Sequence, residues 1–518
     1  MPHAPARRPA LLVTTAALTA VGVAAAVGAA ALPGGTALPA GASALAAPIP
    51  LVTSANVSYL TTVPESQAIS IEFARTGHFA YVSTLDTISV MDISNPKAPK
   101  ITGTVVNAMF QNEAMTYGER VDEDGNLTKF VLAGIDLYQA STDVVERRNV
   151  LGNEVLVVDV TDPAKPFIRS RAKTTSSTHT VQCVSQQQCD YAYTAGDSGR
   201  FSILDLTNLD KPLQVDRVAS PASGNGGPHS AFASFGAGHY WDFENGLGWH
   251  SGSGGVTAFD VSDPLTPVAV QGTDGNGRAE GWNDFILHNS MRPNGDVFLE
   301  GATPSVFNGN VLLVGEEDYA NEGDELICSE SGSFQTWHVP DLDADGYDER
   351  GGNVNAGTIA PLDRKTADQF GGGLTTPAAA FCSAHWFDYH QDGFVAHGFY
   401  GAGLRILDVK NPRDITQVGY STTGVTETWD AYWVPLRDEN GVVTGEKSNI
   451  VYTADLTRGV DVYEVDLPAL TEAQAAEKAA MEQRRAGGTD GGTDSGTAAP
   501  GKSGQAPGVG KGKGKPRG

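Results

Sequence analysis

Four histidines stand at the start of short apolar or β-branched stretches. They are His179 in "THTVQC", His229 in "GPHSAF", His288 in "ILHNSM" and His385 in "SAHWFDYH". Three carboxylates take the corresponding place in other stretches: Glu72 in "ISIEFA", Glu113 in "QNEAMT" and Asp430 in "TWDAYW". Imidazole and carboxylate are the donors of zinc, copper and other transition metals, so a ring of such residues brought to one point is a candidate metal centre. A structural role competes with this reading: a repeated side chain at a repeated place can instead bond a neighbouring backbone. The choice depends on whether the fold makes the seven converge.

A recurring phrase supplies that fold. It reads "ISVMDISNPKAP" (88–99), "VLVVDVTDPAKP" (155–166), "FSILDLTNLDKP" (201–212), "VTAFDVSDPLTP" (256–267) and "LRILDVKNPRDI" (404–415), with a decayed copy "VDVYEVDLPAL" at 460–470. Each copy is a short β-branched strand ending in Asp or Glu, and in most an Asn/Asp-Pro turn follows. Strands such as "HFAYVS", "KFVLAG", "DYAYTAG", "GFVAHG" and "NIVYTAD" precede the phrase, and another strand follows most copies. One unit is therefore about four antiparallel strands, and four-stranded units at such a period build a β-propeller. "GSFQTWHVPDLDADG" (332–346) fills the one double gap, with His338 at the Asp position. The expectation is an all-β, seven-bladed propeller with units near 66–108, 111–173, 176–222, 226–275, 283–362, 380–423 and 427–468.

These phrases resemble the LVIVD repeat of bacterial exported proteins, over most of residues 65–468. The resemblance implies a propeller and brings no settled activity with it.

Fold logic then sharpens the opening observation. The first strand of each blade lines the channel, and the end of the second strand lies on the same face as the start of the first. The ends of second strands carry Asp86, Asp136, Asp197, Glu316 to Asp318, His397 and Asp455. The candidate funnel set is thus His179, His229, His288, His385, Glu72, Glu113, Asp430, Asp197 and Asp455. A transition metal in the funnel is one expectation. A ligand-binding rim with no metal is the other, its ligand a protein, peptide or glycan.

A separate loop, "PDLDADGYDER", places Asp341, Asp343 and Asp345 before Gly346, the alternating oxygen donors of half a calcium loop. The Tyr347 carbonyl and Asp348 or Glu349 complete the set; Gly352 stands where an EF-hand has glutamate. Calcium there is expected to staple the loop.

The remaining features bound the setting. Residues 1–46 hold Arg7 and Arg8, an Ala/Val/Leu run and the small-residue stretch "GASALAAPIP", which is the order of a secretory signal peptide. Residues 47–65 read as a lead-in, with no transmembrane segment after cleavage. Cys183 with Cys189, and Cys328 with Cys382, are expected as disulfides in an exported chain. "LTEAQAAEKAAMEQRR" opens a short helix (469–486) with Thr471 and Gln474 spaced as a capping box. Residues 487–518 are Gly/Ser/Lys-rich and expected to be disordered. With 61 acidic against 35 basic residues, a formal charge of −26, the chain is unsuited to nucleic acid. No nucleophile elbow, phosphate loop or dinucleotide fingerprint is present. The reading is a secreted or cell-surface monomer, a binding or scaffold propeller, with a metal-dependent oxidoreductase or hydrolase as the alternative.

Overall fold

The computed structural model describes residues 51–65, 67–106, 112–135, 154–196, 199–219, 228–234, 236–273, 282, 285–318, 328–330, 332–342, 359–370, 382–423 and 426–489. Among the described residues seven antiparallel sheets of four or five strands follow one another, each blade's first strand innermost. Two two-stranded pairs accompany them, Arg200–Phe201 with Phe232–Ala233 and Arg217–Ala219 with Pro228–Ser230. The innermost strands are Ser70–Phe73, Thr116–Val121, Thr180–Cys183, Gly238–Glu244, Ile286–Met291, Phe387–His390 and Thr428–Arg437, for blades one to seven. The apolar faces of neighbouring blades meet in separate buried clusters. Blades one and two share Tyr81, Val90, Tyr117, Val131 and Leu156, for example, while blades six and seven share Phe394, Ile406, Trp433 and Val451.

The repeated phrase proves to be two consecutive Asx turns. The strand-ending aspartate accepts the backbone N–H two residues on: Ser94 to Asp92 at 2.8 Å, Thr161 to Asp159 at 3.0 Å, Thr207 to Asp205 at 2.8 Å, Ser262 to Asp260 at 2.9 Å and Lys410 to Asp408 at 3.0 Å. The next Asn or Asp does the same, as Asn208 does for Asp210 at 3.0 Å and Asp263 for Leu265 at 3.0 Å. Short polar side chains that can bond their own backbone are what such a corner needs. The phrase also clasps blades together. The Pro264 carbonyl accepts the Tyr193 hydroxyl of blade three at 2.6 Å, and the Pro96 carbonyl accepts that of Tyr452 from blade seven at 2.7 Å.

The two chain ends close the ring. Residues 47–65, expected to lie ahead of the propeller, contribute strand Val57–Val63. It pairs with Gly459–Val465 from Val57↔Val465 to Val63↔Val460 and is the outermost strand of blade seven. Val52–Thr53 adds a fifth strand to blade six. At the other end, Thr471 and Gln474 bond reciprocally (2.9 and 3.3 Å), so the expected capping box starts a helix at Glu472 that runs to Thr489. This helix docks through buried Met481, through Lys478 on Asp392 (2.6 Å) and through Arg485 on Asp296 (2.5 Å). Both expected disulfides are formed, Cys183–Cys189 and Cys328–Cys382. Among the described residues no helix is long and apolar enough to cross a membrane. Residues 1–46, the tail beyond 489, and Asp136, Asp197, Asp343, Asp345, Tyr347, Asp348 and Glu349 lie outside the described residues. Asp341 accepts Gln271 Nε2 at 3.0 Å.

Blade four departs from the expected layout. Its inner strand is Gly238–Glu244, and the segment holding His229 (Pro228–Ser230) forms a small hairpin with Arg217–Ala219 between blades three and four. His229 pairs with Val218 there and is not on an inner strand. His239 occupies the place assigned to His229.

Candidate metal centre

Four histidines and one glutamate from five consecutive blades meet at the axis. Glu113 Oε2 lies 3.0 Å from His179 Nε2, 3.2 Å from His239 Nε2, 3.4 Å from His288 Nε2 and 3.7 Å from His385 Nε2. His179 Nε2 and His239 Nε2 are themselves 3.0 Å apart. All five residues are buried. Glu317, at the end of the second strand of blade five, adds an oxygen 4.0 Å from His288 Nε2. Ligand atoms of Glu113, His239 and His288, and those of His288, Glu317 and His385, fall into two groups sharing His288, each within 4.8 Å throughout.

Backbone irregularities aim these side chains. The register slips between Gly238 and Tyr240, between Leu287 and Asn289, and between Thr428 and Asp430, so His239, His288 and Trp429 are each the extra residue of a bulge. A bulge breaks the alternation of a strand and re-aims a side chain, as is common beside functional sites. The Trp429 bulge also turns its carbonyl toward blade six, where it accepts both His385 Nδ1 and the Trp386 N–H at 3.1 Å. Close approach needs glycine: a Cβ on Gly315 would stand 3.0 Å from the His385 carbonyl, and one on Gly398 2.5 Å from that of Trp429. Tyr400 holds a left-handed backbone (φ 40°) while its hydroxyl donates to Glu317 Oε1 at 2.5 Å, a local cost of the kind that clusters at sites.

The electrostatics follow from burial and crowding. Burial alone would raise Glu113, but the charge and hydrogen bond of His179, with the His239 and His288 rings close beside it, hold it well below the usual carboxylate range. Burial pushes His239 down to about 4 and His288 well below its ordinary value, so both stay neutral, the form that ligates metals. The hydrogen-bond inventory does not close. His239 Nδ1, both ring nitrogens of His288 and His385 Nε2 are buried without a hydrogen-bond partner. Because His385 Nδ1 faces a carbonyl it carries a proton, and Nε2 on the other side of the ring is aimed at Glu113.

The carboxylates do different work. Asp430 Oδ2 accepts the Ile71 N–H of blade one (2.8 Å), Glu72 Oε1 that of Tyr117 in blade two (3.1 Å), and Asp388 Oδ2 that of Trp433 in blade seven (3.1 Å). Asp430 and Glu72 therefore stitch blade to blade and stand apart from the histidine cluster. Asp455 is spent on its own corner, accepting Thr457 N–H (2.8 Å), Arg458 N–H (3.1 Å), Glu427 N–H (3.1 Å) and the Thr428 hydroxyl (3.0 Å). His397 donates to the Gly398 carbonyl among Phe334, Phe387 and Phe399. Glu316 is paired with Arg364 at 2.9 Å. Sequence reasoning missed His239, Glu317's place beside His288, and Tyr400.

The architecture is that of a seven-bladed β-propeller. Residues 72–106, the first blade, match the family described as LVIVD repeat. Among solved structures the chain is similar to the β-propeller domain of Cps50 (Swd1) from Myceliophteria thermophila. The identity is 11% and the TM-score 0.48, over 79% of this chain and 100% of that one. No curated protein matches the chain.

Proposed function

We propose that the chain is an exported metalloprotein that holds one transition-metal ion at the propeller axis, with redox chemistry as its work. The ligands are drawn from His179, His239, His288 and His385 through Nε2, with Glu113 beside them. The observation that carries this reading is the convergence of four imidazole nitrogens on Glu113 Oε2, at 3.0 to 3.7 Å in a buried site. Each buried polar atom left unmade costs about 1–3 kcal/mol, and several lie here together. A cation between them turns that cost into coordination. The 3.0 Å between His179 Nε2 and His239 Nε2 suits two ligands of one ion bound at about 2.1 Å.

The donor set chooses among metals. Four imidazoles and a carboxylate with no thiolate suit copper, iron or zinc over calcium or magnesium. Aromatic rings collar the centre: Tyr400 is 4.6 Å from His385, and Trp386 is 4.6 Å from His288. Copper or iron among polarisable rings favours the redox reading over hydrolysis. Two disulfides, together with the expected signal peptide, support an oxidising compartment outside the cytoplasm. Calcium at Asp341, Asp343 and Asp345 remains a separate proposal for stability.

The test is to strip the protein with a chelator and titrate Cu(II), Fe(II) and Zn(II) separately by calorimetry. Binding of one equivalent, with a copper or iron form that cycles between oxidation states, is expected. A second reading has its own observation. His179 already sits 3.0 Å from Glu113, so a protonated His179 makes that pair a metal-free hub of a binding propeller. Failure of all three metals to bind would establish that reading.

A further inference from the structure

A cavity of about 260 Å³ lies along the channel beside the histidine cluster. Its wall includes residues one step along the chain from the cluster: Ala114 follows Glu113, Tyr240 follows His239, Asn289 follows His288 and Trp386 follows His385. Trp386 is the partition, its ring 4.6 Å from His288 on one side and 4.7 Å from Tyr240. Glu72, Tyr240 and Tyr432 on the wall are half-buried although they stand at the axis, as residues bordering an open space are.

The chemistry of the wall is selective. Glu72 is pinned through Oε1 alone, by Tyr117 N–H at 3.1 Å and Gln186 Nε2 at 2.9 Å. No hydrogen bond or ion pair among the described residues engages its Oε2. The other cavity carboxylate, Asp388, is paired with Lys447 at 2.6 Å, so the wall sets two carboxylates against one cation. Burial raises Glu72 to about 7, a position that a bound cation would draw down. Polar side chains and aromatic rings share the wall about equally, the rings being those of Trp386, Tyr240, Phe387 and Tyr432. A carboxylate held in one orientation among aromatic faces recognises an organic cation through an ion pair and cation–π contact. The buried indole N–H of Trp386 has no acceptor and offers a further contact to an oxygen of the guest.

We infer that this cavity is a binding site for a small organic cation, a primary amine with a short apolar body, seated on Glu72. The site is separate from the metal proposal: none of its groups is a ligand of the centre, although its occupant lies one aromatic ring away from it.

The test is calorimetric titration of the full-length protein with benzylammonium, against benzoate and benzyl alcohol, before and after chelator treatment. The expected result is one equivalent of benzylammonium bound, with the acid and the alcohol at least tenfold weaker. Glu72→Gln, which keeps an acceptor for Tyr117 and Gln186, is expected to weaken the amine at least tenfold and leave metal content unchanged. Equal binding of benzoate or benzyl alcohol, or an unchanged affinity in Glu72→Gln, would overturn the inference. So would loss of binding on chelation, since the amine would then be a metal ligand. Amine binding in a protein that takes up no metal would sink the metal proposal alone.

Discussion

His385 Nε2 and Glu113 Oε2 face each other across the propeller axis 3.7 Å apart, both buried. The Nδ1 proton of His385 is on the far side of the ring, given to the Trp429 carbonyl at 3.1 Å. The blade-to-blade stitch that orients His385 thus also fixes its tautomer, an arrangement that metal-bound histidines use.

His239 and His229 distinguish the folded centre from the sequence pattern alone. His239→Ala is expected to remove the bound metal, whereas His229→Ala, altering a hairpin between blades, leaves it in place. Metal analysis of the two variants side by side checks this.

The stitching histidine carries a finer expectation. In His385→Gln the side chain no longer presents an imidazole nitrogen to the centre, and affinity is expected to fall at least about tenfold, the scale seen when a ligand is disturbed. Competition against a chelator of known strength measures it. An unchanged affinity would remove His385 from the ligand set.

The Asx turns are expected to be worth a small, repeated sum. Asp205 accepts both the Thr207 N–H and hydroxyl, at 2.8 and 2.6 Å, and Asp205→Ala should cost about 1–2 kcal/mol. Urea unfolding reads the change. A neutral result would mean that solvent replaces the corner bonds without loss.

Ring closure contributes more than any one corner. Cutting the chain at residue 65 removes strand Val57–Val63, whose Val57 is buried between blades six and seven and whose Val63 is buried between blades one and seven. Two buried valines and a ladder together amount to at least about 3 kcal/mol. The truncated protein is expected to melt well below the full one, or to lose cooperativity, in a calorimetric scan.

Acid sensitivity has a named contributor away from the centre. Burial pushes His390 down to about 4, while in the unfolded chain it titrates near 6.5. Between those values the unfolded state takes a proton that the folded state refuses. The stabilising effect of keeping His390 neutral is therefore complete above pH 6.5 and lost as pH falls toward 4, at roughly 1.4 kcal/mol per unit. His390→Gln should flatten the urea midpoint against pH in that window. An unaltered slope would assign the acid sensitivity elsewhere.

The repeat made the blade count legible, because Asp-x-Ser/Thr-Asn/Asp-Pro is a corner with a mechanism. Six blades fall where the phrase puts them. Blade four slipped because "ENG" at Glu244–Gly246 is itself the turn: Asn245 and Gly246 take φ 46° and 79°, a two-residue hairpin that fixes Gly238–Glu244 as the inner strand. Counting back from "VTAFD" through that turn reaches His239. The bulges at His239 and His288 leave no such mark, since an extra residue in a strand is not written in any residue type. Nor could the ring order separate metal candidates from stitches. Glu72 and Glu113 match by sequence alone, but the register puts Glu72 inside its inner strand, opposite Tyr81, and Glu113 three residues ahead of Thr116, the first paired residue of its own. One therefore meets a backbone N–H and the other the imidazoles.

The most direct test is elemental analysis of the purified protein, wild type beside the His239→Ala, His385→Ala double variant. About one equivalent of copper, iron or zinc is predicted in the wild type and almost none in the variant. A metal-free wild type that also refuses metal after chelation, or a double variant with its full complement, would contradict a metal centre at the axis.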